Sequence, residues 1–159
     1  MNKLMLVSGL LAASAFAQVV TPQGAVRPSL NTLNCPKGSR AVSDGEGHFC
    51  SKTGAPGGER ISGPYVGLHK NGAKESEGLY VDGERFGKWR YWNEQGVKVR
   101  EIEFKNDGYD GEYTEFHADG SVKLSVTYIA GKKQGLQKEF DARGKLVAQT
   151  TFVDDRASK

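Results

Sequence analysis

The 159-residue chain carries 22 basic and 19 acidic residues, a net charge of +3. Residues 63–155 alone hold 14 basic and 16 acidic residues with the signs interleaved, so no basic stripe exists to neutralise phosphates and no nucleic-acid partner is expected. With two cysteines and one short apolar run, the composition also excludes a densely cross-linked mini-protein and a multi-span membrane protein.

The apolar run comes first. Lys3 precedes residues 4–17, apolar apart from Ser8 and Ser14 and ending in Ala15-Phe16-Ala17. That run is too short for a stable anchor and closes on small residues, the layout of a cleaved secretion signal. Cleavage is expected before Gln18, giving an exported protein, periplasmic or secreted, with no transmembrane segment. Residues 18–34 are polar, proline-containing and aperiodic, and read as a linker.

Residues 35–62 hold both cysteines, Cys35 and Cys50, with fourteen residues between them. An even count behind an export signal reads as a disulfide, which would hold a loop-rich cap. Closing a loop of this size contributes about 3 kcal/mol. A metal site would need more than these two and His48, and no fourth ligand stands near.

From Gly63 the chain divides into four blocks of 24, residues 63–86, 87–110, 111–134 and 135–158. Each block opens on glycine (Gly63, Gly87, Gly111, Gly135) and has another at its tenth position (Gly72, Gly96, Gly120, Gly144). The sixth position is Leu68, Trp92, Phe116 and Phe140, and the eighteenth is Tyr80, Phe104, Tyr128 and Phe152. Four copies in register make a repeat array. Positions seven to ten, HKNG, NEQG, HADG and DARG, have the chemistry of a three-residue hairpin turn that ends on a left-handed glycine. The expected fold is all-β, an antiparallel meander of eight strands forming one curled sheet.

If the seventh residue pairs with the eleventh, paired positions sum to eighteen and even positions share a face. That face would collect Leu68, Tyr80, Trp92, Ile102, Phe104, Phe116, Val122, Leu124, Val126, Tyr128, Phe140, Leu146 and Phe152. On the other face Tyr65, Trp89, Tyr91 and Tyr113 would form a stripe with Glu77 and Glu101 beside them, suited to a cation, a sugar face or an extended peptide. Packing across strands would account for the same rings equally simply.

Glycine, aromatic, turn glycine and second aromatic in this order resemble the MORN repeat, specifically its bacterial variant. The resemblance covers residues 63–155 and is closest in blocks two and three. Block one departs at Gly67, and block four at Gln137 and Asp155. The resemblance implies an open, elongated sheet acting as scaffold or interaction platform, and many bacterial relatives carry an antitoxin label. The segment GKWRYWNEQG also looks like part of a choline-binding repeat.

Other constellations read as structure. His69 and His117 occupy the turn-opening position that Asn93 and Asp141 fill elsewhere. Asp107, Asp110 and Glu112 lack the spacing of a calcium loop. No catalytic arrangement, metal or cofactor is expected. The reading is a non-enzymatic interaction module with a protein partner or a cell-wall glycan, possibilities for self-association left open. Intact-mass analysis of exported protein should show a chain starting at Gln18 whose cysteines resist alkylation until reduced. Two thiols open to alkylation in native protein would remove the disulfide-held cap.

Overall fold

The computed structural model describes residues 29–55 and 58–158. The expected signal segment, and the linker as far as residue 28, lie outside them. After a 3-10 turn at Leu30–Thr32 come eleven strands: β1 (Ser39–Ser43), β2 (Gly47–Ala55), β3 (Gly58–Leu68), β4 (Lys74–Val81), β5 (Glu84–Trp92), β6 (Lys98–Lys105), β7 (Gly108–Phe116), β8 (Val122–Ile129), β9 (Lys132–Phe140), β10 (Leu146–Val153) and β11 (Arg156–Ala157). They pair in chain order as one antiparallel sheet that does not close on itself. The sheet exceeds the expected eight strands because β1, β2 and the short β11 pair onto it. The cap is therefore sheet rather than loop, and the boundary expected at residue 63 falls inside β3.

Each repeat is a hairpin with the expected turn. The backbone N–H of His69 donates to the Ala73 carbonyl and that of Gly72 to the His69 carbonyl, and the same pair of bonds recurs at Asn93, His117 and Asp141. Gly72, Gly96, Gly120 and Gly144 all have φ between +76° and +86°, where a β-carbon is disfavoured.

Beyond the turn the pairing differs from expectation. Leu68 pairs with Lys74 as the turn dictates, but Gly67 pairs with Ser76, leaving Glu75 as an extra residue. Val99, Lys123 and Val147 are extra at the same place in the other hairpins. Each is a β-bulge, so paired positions sum to nineteen rather than eighteen over the rest of the hairpin. A one-residue slip sends the second strand's side chains to the opposite face. Tyr80, Ile102, Phe104, Leu124, Val126, Tyr128 and Phe152 consequently lie with the odd positions of the first strands. Leu68, Trp92, Phe116, Val122, Phe140 and Leu146 lie on the other face.

The bulged register is favoured by where the rings sit along the strand. Position six lies at the turn with a single cross-strand neighbour, whereas position three lies mid-strand with neighbours on every side. Trp89 there faces Ile102 and is sealed with Ile102 and Phe104, each 2% exposed. Burying such a side chain stabilises by about 1.5–3 kcal/mol, more than the roughly 1 kcal/mol of a ladder hydrogen bond lost at a bulge. Gly78 belongs to the same design. The Trp89 indole lies so flat over it that a β-carbon would stand 2.3 Å from the ring, and the indole Nε1 donates to the Leu79 carbonyl at 3.2 Å.

Hairpins are joined by two-residue turns in which both residues have positive φ: Asp82-Gly83, Asn106-Asp107, Ala130-Gly131 and Asp154-Asp155. This geometry matches the twist of the flanking strands. Ala130, at +48°, is the member of its row with neither glycine's freedom nor a polar side chain. Ala130→Gly should therefore raise stability by about 1 kcal/mol, read as a higher urea midpoint. An unchanged or lower midpoint would contradict the left-handed assignment.

Candidate interaction surface

One face of the sheet is a continuous run of rings. Tyr65 stands 6.4 Å from Phe49 and 5.5 Å from Trp89. Phe104 packs edge-on to Trp89 at 6.1 Å and to Tyr109 at 5.2 Å, and Tyr109 packs edge-on to Tyr128 at 5.1 Å. These edge contacts suit the positive rims and negative faces of the rings. Around the sealed centre, Tyr65, Tyr80, Tyr91, Tyr109 and Tyr113 are only partly buried. Arg85 lies over Phe104 at 4.2 Å and Arg100 over Tyr91 at 4.7 Å. Burial, and then the hydrogen bond to Glu115, push the Tyr113 hydroxyl up to about 12. That hydroxyl donates to the Glu115 carboxylate at 2.7 Å. The buried Nε of Arg100 has no hydrogen-bond partner.

The opposite face carries an ion-pair ladder. Along one cross-strand row run Val66, Glu77, Arg90, Glu101 and Thr114. Arg90 reaches Glu77 at 3.3 Å and Glu101 at 3.2 Å, while Lys74 holds Glu77 at 2.9 Å and Lys98 holds Glu101 at 2.8 Å. The two lysines also cover rings, Lys74 over Trp92 at 3.8 Å and Lys98 over Phe116 at 4.2 Å. Burial raises the Glu101 carboxyl, but the Lys98 hydrogen bond and the charges of Lys98, Arg90 and Lys88 outweigh it and hold the pKa below its ordinary value.

The six residues expected to share one contact stripe are therefore divided. Tyr65, Trp89, Tyr91 and Tyr113 stand together on the ring face, and Glu77 and Glu101 stand on the ladder face. The bulge is the cause: it puts Gly78, Ile102 and Val126 opposite Tyr65, Trp89 and Tyr113 in place of the expected Glu77, Glu101 and Ser125. Trp89 is also buried beyond reach of a ligand. Sequence reasoning missed Lys74, Arg90 and Lys98. A signal was present, because Lys74 and Lys98 stand 24 apart, each three residues before a glutamate.

The cysteines form the expected disulfide, Cys35–Cys50, with Cα atoms 5.4 Å apart. It seats the cap closely on the first repeat, since a β-carbon on Gly63 would stand 2.8 Å from Pro36 Cδ and 2.9 Å from Cys50 Cβ. The histidines join neighbouring repeats. Nε2 of His69 bonds the Trp92 carbonyl at 2.8 Å, and Nε2 of His117 bonds the Phe140 carbonyl at 2.9 Å. Where histidine opens the turn, the acceptor for the turn's N–H moves two residues on, to Asn71 and Asp119. Where Asn93 or Asp141 opens it, that residue's own oxygen accepts. Asp107 is committed to Arg85 and Asp110 to the Ala130 N–H.

Within this sheet the family model described as "MORN repeat variant" matches residues 109–130 and 133–154. Residues 109–130 and 133–154 are MORN-type repeats. The matched MORN segments start near the two-residue turns rather than at the block glycines, and the second covers residues 135–154 of the fourth block despite Gln137. Comparison with curated protein sequences finds no match. Among solved structures, the glycosylation-associated protein complex (Gap123) from Streptococcus agalactiae superposes with a TM-score of 0.42 at 15% identity, over 76% of this chain and 22% of that one. The complex of accessory secretory proteins 1, 2 and 3 in Streptococcus pneumoniae gives 0.44 at 9% identity, over 77% and 23%. This chain spans less than a quarter of either.

The ladder has a pH signature. The Glu101 pKa is depressed in the folded protein, so its contribution is fully present above the unfolded value of about 4.3 and is lost as pH falls through the lower folded value. Between pH 5 and pH 3 the thermal midpoint should fall further for the natural protein than for Glu101→Gln. Parallel curves would show that the ladder contributes nothing to stability.

Proposed function

We propose that this chain is a non-catalytic, exported binding module whose ring face receives a protein partner. The observation that carries the reading is the single-layer sheet. Among the described residues no second layer covers the rings, and of the aromatic side chains there only Trp89 and Phe104 are sealed, together with Ile102. Partly buried tyrosines around a rigid centre combine large apolar area with polar tips at low entropic cost, the chemistry enriched at protein interfaces. Export is supported by the leader-like residues 1–17 and by the disulfide, which persists in oxidising compartments. Among the described residues no helix is long and apolar enough to cross a membrane. An antitoxin or immunity-type inhibitor would be one form of this reading, with an enzyme as the partner.

A second reading, a cell-wall glycan on the same face, is favoured by the row of tyrosines beside the Arg100 guanidinium, since sugars stack on rings and hydrogen-bond to flanking donors. Capture from envelope extracts and retention on purified peptidoglycan separate the two. Tyr91→Ser with Tyr113→Ser should weaken capture of a protein partner by at least about 2 kcal/mol. Arg90→Ala, on the ladder face, should leave capture unchanged. The reverse pattern would move the contact to the ladder face, and retention on peptidoglycan alone would favour the glycan.

A further inference from the structure

On the ladder face, away from the rings assigned above, the segment preceding β1 comes back over the sheet. Leu33 forms one wall of a cleft of about 460 Å³ whose floor and other walls come from β3, β4 and β5. Pro64, Val66, Leu79 and Phe86 line it, and Leu79 and Phe86 remain 39% and 42% exposed. Two apolar residues left that open on a charged face leave unburied area that a ligand could cover.

The polar lining gives the sign of the ligand. Glu77, Lys88 and Arg90 reach the cleft, one negative charge against two positive. Glu77 is already held by Lys74 and Arg90, and Arg90 is shared between two carboxylates. The nearest carboxylate oxygen to the Lys88 ammonium, on Glu103, is 3.8 Å away, the loosest pair on this face. Lys88 thus has the most donor capacity to spare, at the rim of an apolar slot. We infer that the cleft binds a medium-chain acyl carboxylate, its chain laid across the paired Leu79 and Phe86 side chains under Leu33 and its head group on Lys88. A choline-like cation would face two like charges there, and a sugar would leave Leu79 and Phe86 uncovered.

The test is calorimetric titration of the mature, oxidised protein with sodium dodecanoate below its micelle concentration. Butyrate and dodecyltrimethylammonium serve as comparison ligands, and phosphatidylglycerol vesicles as a sedimentation arm. Saturable one-to-one binding of dodecanoate is expected, at least tenfold tighter than of butyrate or the cationic surfactant, without sedimentation on vesicles. Lys88→Gln, Phe86→Ser and Leu33→Ser should each weaken it at least tenfold. Leu33→Ser lies off the sheet, so a loss there with an unchanged thermal midpoint separates ligand contact from damage to the fold. Absence of saturable binding, equal binding of the cationic surfactant, unchanged affinity in all three variants, or sedimentation on vesicles without dodecanoate binding would each overturn the proposal. Tyr91→Ser with Tyr113→Ser should leave dodecanoate binding intact, so the cleft and the ring-face reading stand or fall separately.

Discussion

A single extra residue per hairpin decides what this protein presents to its surroundings. Glu75, Val99, Lys123 and Val147 each stand unpaired three residues beyond the turn glycine, and each turns the following strand over. Without the bulge, Trp89 would lie across from a carboxylate and Ile102 would face away from it. With it, Trp89, Ile102 and Phe104 form the sealed centre, and the glutamates pair with Arg90, Lys74 and Lys98 on the other side. The two faces are therefore different in kind, one of rings and one of ion pairs.

A sheet one layer thick has little core, so stability has to come from neighbour-to-neighbour locking. The locks recur with the repeat. Arg85 N–H meets Asp107, and Lys133 N–H meets Asp155, each 22 residues on. His69 and His117 reach carbonyls 23 residues on, at alternate repeats. At the N-terminal end the disulfide presses Pro36 and Cys50 against Gly63, which has no side chain to obstruct them. Such an array is a sum of local interfaces, and a change in one hairpin is felt chiefly by its neighbours.

Most of the architecture was legible in the sequence, because turn chemistry and the 24-residue period are local. The turn glycines, the meander and the Cys35–Cys50 bond all follow from spacing and composition. The bulge was not legible. An apolar residue stood at even positions of both strands, so an unbulged register already satisfied the hydrophobic pattern. What separated the registers was the greater burial available to Trp89 mid-strand than to Trp92 beside the turn, a property of the assembled sheet. Gly78 was the one residue that spoke for it: a glycine where the other repeats have Ile102, Val126 and Thr150 makes room for the ring lying above. The candidate contact residues inherited the error. Four rings and two carboxylates close in the unbulged register stand on opposite sides of the real sheet.

The chain has two tryptophans, and the two registers assign them opposite fates. Fluorescence of Trp92→Phe, which reports Trp89 alone, and of Trp89→Phe, which reports Trp92 alone, decides between them. The bulged sheet predicts a blue-shifted Trp89 that acrylamide scarcely quenches, and a red-shifted, readily quenched Trp92 beside the Lys74 ammonium. A shielded Trp92 and an accessible Trp89 would contradict the register and the two faces built on it.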